Sequence, residues 1–180
     1  AYTHLAEEGE YDLGRYPAGV DAAVEHLCEV LNSCGFVANA RSDVMNSKYR
    51  KLLANLENII ETAFSDKQQQ ADLYRKVRAE AGGVLTAAGI DWDKSEAEAR
   101  NQMIMTAIPG RDRIGSSTLQ SVVRGTGSLE TSYLNGEIVL LGRLHNIETP
   151  YNSALCHLSE KVADGRLAPK SSEITSLLQK

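Results

Sequence analysis

The chain has 180 residues, enough for one domain with a buried core or for one domain and part of a second. Its 19 basic and 24 acidic residues give a formal net charge of -5, and no block of Lys and Arg could neutralise a run of phosphates, which argues against nucleic-acid binding. No apolar run is long enough to cross a bilayer and the first residues are too polar for a signal peptide, so we expect a soluble, cytoplasmic protein.

The three cysteines, Cys28, Cys34 and Cys156, form no C-x-x-C pair and are odd in number. This pattern predicts neither a disulfide framework nor a zinc site, and we expect buried thiols in a reducing compartment. The sequence begins at Ala1 without a methionine, which suggests a processed, trimmed or partial chain.

The first forty residues predict a short α/β segment. Residues 8–17 are mixed and punctuated by glycine, which is typical of a strand or turn. A helix then begins after Asp21 as cap and ends at Gly35, which can adopt a left-handed conformation. Residues 36–38 form a short apolar run that indicates a strand, and we place a domain boundary near Ser42.

Beyond that boundary the apolar residues recur almost throughout at helical spacing, which predicts a mainly helical body. Ser95 with Glu98 is a capping box for one helix, and Ser116 can cap a short one. Thr149 followed by Pro150 indicates another helix start, and a short terminal helix begins at residue 171 or 172. The stripes comprise Leu52, Leu53, Leu56, Ile59, Ile60 and Ala63; Leu73, Val77, Ala81, Val84, Leu85 and Ala88; Leu134, Ile138, Leu141, Leu144 and His145; and Leu155, Leu158 and Val162.

Two groups of polar residues are candidates for chemistry. Lys51 and Asn55 lie four residues apart, so they share one side of a predicted helix, and a desolvated lysine there can give a proton to a carbonyl oxygen. Ser116 and Ser117 begin a helix whose outward N–H groups favour a bound carboxylate or phosphate, and Glu130 can bind a ligand hydroxyl. On pattern alone, a solvated lysine flank, an ordinary helix cap and a solvent-facing carboxylate are the favoured interpretations.

Other chemistry lacks support in the sequence. Gly125-x-Gly127 has no third glycine and no surrounding strand–turn–helix unit, so it is not a dinucleotide fingerprint. Neither a G-x-x-x-x-G-K-[ST] loop nor a G-x-S-x-G elbow occurs. The four histidines have no metal-ligand spacing, and we expect His145 in the core or at its boundary.

Four motifs follow one another along the chain. They are Tyr49-x-Lys51-Leu52-x-x-Asn55, Ser116-Ser117-x-Leu119-Gln120, Glu130-x-x-Tyr133-Leu134-Asn135-Gly136 and Asn146-Ile147-x-Thr149-Pro150-x-Asn152. Together with Arg78-Ala79-Glu80-Ala81, their order resembles the C-terminal domain of ketopantoate reductases, also called 2-dehydropantoate 2-reductases. The joint occurrence is more specific than any single motif.

This resemblance implies a mainly α fold like the helical domain of 6-phosphogluconate dehydrogenase-like dehydrogenases, spanning residues 43–180, with residues 1–42 as the α/β end of a Rossmann domain. It implies an NADPH-dependent oxidoreductase of pantothenate biosynthesis that reduces a 2-keto acid, allows a homodimer, and involves no metal. In this role Lys51 is the proton donor, Asn55 and Ser117 bind the substrate, and Glu130 contacts substrate or cofactor at the reacting centre.

The chain departs from the family's pattern in two ways. Ile59, Ile114 and Ser121 replace polar residues usual in the family, so a branched or smaller 2-keto acid is an alternative substrate. The G-x-G-x-x-G unit is absent, so we expect the nucleotide-binding half in cis or in trans and no activity from this chain alone. The alternative is a non-catalytic helical dimerisation or interaction module derived from such an enzyme.

Overall fold

The computed structural model describes residues 10–92, 115–125 and 129–171. The helix predicted after Ser95 and most of the predicted terminal helix lie outside these ranges. The described residues divide into two compact units, one with residues 10–51, 91 and 92 and the other with residues 52–90, 115–125 and 129–171.

The first unit begins with a strand, a helix and a second strand, in the order that the sequence predicts. Strands β1 (Glu10–Leu13) and β2 (Val37–Ala40) pair in parallel with Tyr11 opposite Ala38. Helix α1 (Ala22–Ser33) connects them, which is the usual way to join parallel neighbours. The short segment at the start of the chain is therefore α/β, as predicted.

Asp21 caps the start of α1 and Gly35 turns the chain at its end. Asp21 accepts a hydrogen bond from the N–H of Val24 at 3.0 Å, and Gly35 has a φ of +87°, both as the sequence predicts. The side chain of Asn32 then accepts from the N–H of Ala38 at 2.8 Å and donates to its carbonyl at 3.0 Å. These bonds satisfy backbone groups of β2 that its pairing with β1 leaves free.

Helix α2 (Val44–Asn55) begins in the first unit, and the division between the units falls inside it, after Lys51. The second unit is helical, which confirms the mainly α fold class. Its further helices are α3 (Glu57–Ala63), α4 (Lys67–Ala87), α5 (Ser117–Val123), α6 (Thr131–Leu144) and α7 (Pro150–Ala163).

Side-chain capping bonds begin α4 and α5, whereas the N-cap residues of α3, α6 and α7 make none. The carboxylate of Asp66 accepts from the N–H of Gln69 at 2.8 Å and caps α4, and Ser116 caps α5. Pro150 occupies the first turn of α7, as predicted, but the side chain of Thr149 makes no capping hydrogen bond. The N–H groups of α7 are satisfied from another helix, as described below.

Most residues of the predicted apolar stripes form the core of the second unit. Its largest fully buried apolar side chains are Leu53, Leu56, Ile59, Ile60, Val77, Val84, Leu85, Ile138 and Leu155. Helices α6 and α7 pack against each other across a short turn, where Gly142 is required. A Cβ atom there would lie 2.6 Å from Cγ2 of Thr149 and 2.8 Å from the carbonyl oxygen of Ile147.

Three expectations from the sequence are wrong. Leu144 of the predicted α6 stripe is 67% exposed. His145 is exposed, because α6 ends at Leu144 and Asn146, with a φ of 55°, turns the chain away. Cys28 is buried as expected, but Cys34 follows the end of α1 and is exposed. None of the described helices is both long and apolar enough to span a membrane.

Candidate functional site

The first group of candidate residues lies in α2. Lys51 and Asn55 are four residues apart in this helix, and Lys48 precedes Lys51 by three. Both lysines are exposed, whereas Asn55 is half-buried. Neither lysine is paired with an acidic side chain within the described part of the chain. Each ammonium group is therefore available to a bound anion or to an oxygen that needs a proton.

The second group lies at the start of α5. The hydroxyl of Ser116 accepts a hydrogen bond from the N–H of Leu119 at 3.4 Å, which confirms the predicted cap. Ser117 is exposed at the first position of the helix, while Thr118 and Leu119 are buried. The start of α5 thus presents the Ser117 hydroxyl outward and packs its next turn inward.

The N–H of Ser116 is not available to a ligand. It donates to Oε2 of Glu61 in α3 at 2.8 Å, so a carboxylate of the protein already occupies this position. The Ser116 hydroxyl also lies 3.4 Å from the carbonyl oxygen of Asn58. Sequence reasoning missed Glu61, since its partner lies 55 residues away.

Glu130 occupies the N-cap position of α6. Its backbone carbonyl accepts from the N–H of Leu134 at 3.0 Å, but its side chain makes no capping bond and is exposed. The carboxylate has no ion-pair partner among the residues that the structure describes. It is therefore free to accept hydrogen bonds from a ligand hydroxyl.

The described residues connect only part of the predicted site. Asn55, Ser117 and Glu130 belong to the second unit, whereas Lys51 belongs to the first. Asn55 ends α2, α3 follows after one residue, and Glu61 of α3 holds the residue before Ser117. Asn55 and Ser117 are thereby linked through α3, and no hydrogen bond links either of them to Glu130 in the described ranges.

A buried polar network joins α4, α6 and α7. Oε2 of Glu80 accepts from the N–H of Tyr151 at 2.9 Å, and Oε1 accepts from the N–H and Nδ2 of Asn152 at 2.9 and 2.7 Å. Nδ2 of Asn135 donates to Oδ1 of Asn152 at 3.0 Å. These residues occur in the motifs quoted above, and here they hold helices together rather than face a ligand.

Within the described residues, neither the Cys156 thiol nor a group of metal-ligating side chains offers a second site. Burial raises the pKa of the Cys156 thiol to about 11, and the nearby charge of Glu160 adds to the rise, so this thiol is protonated at neutral pH. In residues 10–92, 115–125 and 129–171, no three His, Cys, Asp or Glu side chains are grouped so that they could hold a metal ion.

Comparison with known proteins identifies the family. The sequence model described as "Ketopantoate reductase PanE/ApbA C terminal" matches residues 43–163, about two thirds of the chain. The 2-dehydropantoate 2-reductase of Pyrococcus horikoshii is 27% identical over 151 residues, which cover 79% of this chain and 48% of that protein. The chain thus spans about half the length of this curated relative.

Solved structures share the fold. The ketopantoate reductase of Ralstonia eutropha JMP134 aligns with 88% of this chain and 53% of its own at 22% identity and a TM-score of 0.66. The 2-dehydropantoate 2-reductase of Methylococcus capsulatus aligns with 86% of this chain and 54% of its own, at 21% identity and a TM-score of 0.67. A D-mandelate dehydrogenase with NADH and anilino(oxo)acetate aligns with 86% of this chain and 66% of its own, at 21% identity and a TM-score of 0.66. With the motifs and the helical unit in agreement with the family match, the chain belongs to the ketopantoate reductase family, in the part that forms its C-terminal domain.

Proposed function

We propose that this chain is the substrate-binding and catalytic part of an NADPH-dependent reductase that converts a 2-keto acid, 2-dehydropantoate, into the 2-hydroxy acid. The family match and the name of the Pyrococcus relative support this substrate class. The match begins at residue 43, which supports residues 1–42 as the end of a nucleotide-binding domain and residues 43–180 as the catalytic domain.

Lys51 is the proton donor in this proposal. NADPH held by the complete protein would supply the hydride for reduction of the keto carbon. The substrate oxygen gains negative charge in such a reduction. A lysine ammonium stabilises that charge and gives its proton to the oxygen. Lys51 suits this role because its ammonium is unengaged by acidic side chains of the described ranges.

Three residues of the second unit complete the proposed site. The Asn55 amide and the Ser117 hydroxyl bind the substrate, each with donors and acceptors for a keto acid. Glu130 accepts from a hydroxyl of the substrate or of the cofactor ribose. The exposure of Ser117 and Glu130 supports these roles, since both side chains are open to a ligand.

The main dinucleotide site does not fit the residues of this chain. The turn between β1 and α1 has Gly14 and Gly19 but no G-x-G-x-x-G spacing. Gly14 has a packing role, because a Cβ there would lie 2.2 Å from the carbonyl oxygen of Arg41. The N–H of Gly19 donates to the carbonyl of Ser42 at 2.7 Å. We therefore assign pyrophosphate binding to a further Rossmann half, in cis or in trans, without which this chain is inactive.

Exposed apolar side chains in the first unit support the proposal of a further Rossmann half. Leu27 and Val30 of α1 and Phe36 before β2 remain 46%, 43% and 42% exposed. A two-stranded parallel sheet is also small for an independent structure, since parallel sheets are normally covered on both faces. Further strands of a Rossmann domain would cover these groups.

A homodimer is the second part of the proposal. Tyr133, Leu140 and Leu144 follow one another at seven and four residues, share one face of α6, and are 80%, 51% and 67% exposed. A related structure is described as that of a dimeric ketopantoate reductase from Staphylococcus aureus. The same exposed face favours the alternative function, a non-catalytic dimerisation module.

The complete protein that contains this chain distinguishes the two functions. Each assay contains the protein, either NADPH or NADH, and one keto acid. The keto acids are 2-dehydropantoate, a smaller branched 2-keto acid and an aromatic 2-keto acid. Loss of the reduced nicotinamide is followed by absorbance. Turnover that depends on a keto acid supports the reductase. Self-association without turnover on any of these substrates would make the chain a dimerisation module.

A further inference from the structure

Glu61 links α5, which carries Ser117, to α3, the helix that follows Asn55. It lies in α3, which follows α2 and Asn55 after one residue, and its Oε2 accepts from the N–H of Ser116 at 2.8 Å. The next residue is Ser117, whose exposed hydroxyl begins α5. A single carboxylate thus ties the residue before Ser117 to the helix that continues from Asn55.

Gly115 lies beside this contact and leaves space for the Glu61 carboxylate. Gly115 has a φ of +104°, and a Cβ there would lie 3.1 Å from Oε1 of Glu61 and 3.0 Å from Cδ2 of Leu119. The Nε2 of Gln120 donates to the Gly115 carbonyl at 3.1 Å. Glycine is therefore required at 115, both for the left-handed backbone and for the close approach of Glu61.

The hydrogen bond is of a strong kind, because its acceptor is ionised and its donor is a backbone N–H at a helix start. Thr118 and Leu119 are buried on the same side, so α5 is held to α3 by packing and by this bond together. The Ser117 hydroxyl makes no hydrogen bond to a described residue. Its location therefore depends on how its neighbour Ser116 is held.

We propose that Glu61 is a positioning residue, which sets the Ser117 hydroxyl relative to Asn55 so that both bind the same keto acid. The inference rests on the proposed function, since it assumes that Ser117 and Asn55 contact the substrate. Glu61 itself does not contact the substrate. Its carboxylate acts through the N–H of Ser116.

A double-mutant cycle in the complete protein tests this role. Glu61→Ala removes the acceptor and is expected to raise KM for the keto acid about tenfold, with kcat changed less than about twofold. Glu61→Gln keeps an oxygen that can accept from Ser116, so its KM is expected to stay close to that of the wild type. Glu61→Ala combined with Ser117→Ala is expected to have the KM of Ser117→Ala alone, because Glu61 has nothing left to position.

The experiment separates failure of the proposed role of Ser117 from failure of the proposed role of Glu61. If Ser117→Ala leaves KM unchanged, the substrate-binding role of Ser117 is wrong and the role of Glu61 falls with it. If Ser117→Ala raises KM but the two changes multiply, only the role of Glu61 is overturned. Amide hydrogen exchange of residues 117–123 provides a second readout, expected to be faster in Glu61→Ala and unchanged in Glu61→Gln, and equal exchange in both variants would also overturn the proposal.

Discussion

Glu80 of α4 and Asn152 of α7 are joined by two hydrogen bonds, 2.9 Å from the N–H and 2.7 Å from Nδ2 of Asn152, both to Oε1 of Glu80. The second carboxylate oxygen accepts from the N–H of Tyr151. A carboxylate from a distant helix therefore takes the place of the local Thr149 cap. The position is favourable because the start of a helix carries partial positive charge.

Loss of this carboxylate should destabilise the protein. Glu80→Ala removes the acceptor of two N–H groups at the start of α7 and leaves Nδ2 of Asn152 with the Val77 carbonyl at 3.3 Å. We expect the free energy of unfolding to fall by about 2–3 kcal/mol. Equilibrium urea unfolding of the complete protein measures the change. Glu148→Ala is the matched control, because Glu148 lies just before the same helix but is exposed and bonds to no described residue. Equal losses in the two variants would rule out a specific role for Glu80.

Two glycines inside helices should respond in opposite directions to alanine. Gly142→Ala places a methyl group within 3 Å of Thr149 and of the Ile147 backbone, and we expect a loss of about 1–3 kcal/mol from overpacking. Gly83→Ala in α4 meets no atom within 4 Å and should stabilise by about 0.5–1 kcal/mol, since alanine favours the helix. Thermal unfolding of both variants measures the difference, and a stabilised Gly142→Ala would contradict the α6–α7 packing.

The cysteines should differ in their reaction with iodoacetamide. Cys34 is exposed and should be labelled first, whereas Cys28 is buried and should be protected in the folded state. Cys156 has a pKa raised to about 11, so its reactive thiolate is scarce at neutral pH and its labelling rate should keep rising with pH up to that value. Mass spectrometry of peptides at several pH values gives the three rates. A Cys156 rate that levels off near pH 8 would contradict the burial described here.

The exposed face of α6 should control self-association. Leu140→Glu puts a charge in the middle of the Tyr133, Leu140 and Leu144 face, and we expect a dimeric wild type to become monomeric at the same concentration. His157→Glu changes an exposed residue of α7 and serves as the control. Sedimentation velocity reports the masses. A wild-type monomer, or a dimer that persists in Leu140→Glu, would remove the homodimer from the account.

Local signals in the sequence predict much of the fold. Asp21 and Ser116 cap the helices that they precede, and Gly35 turns the chain, because each acts on a backbone group within a few residues. The apolar stripe that begins at residue 52 is buried from Leu53 to Ala63 as expected, although it is divided between α2 and α3 at Leu56. That residue keeps helical dihedral angles, φ −60° and ψ −21°, so no glycine or proline marks the division.

Long-range contacts could not be predicted in this way. Thr149 has the residue type of a helix cap, but Glu80, about 70 residues earlier, provides the acceptor. Glu61 likewise accepts from the N–H of Ser116, a contact between residues 55 positions apart. The candidate residues Lys51, Asn55, Ser117 and Glu130 depend on the same kind of contact, and their joint role stays a prediction.

The most direct measurement compares Lys51→Ala with Lys48→Ala in the complete protein. If Lys51 gives the proton to the substrate oxygen, its loss should lower kcat for NADPH-dependent reduction of 2-dehydropantoate by about 10²- to 10⁴-fold. Lys48 is also an exposed lysine of α2, so Lys48→Ala should keep near wild-type turnover. Full turnover in Lys51→Ala would contradict the assignment of this lysine as the proton donor.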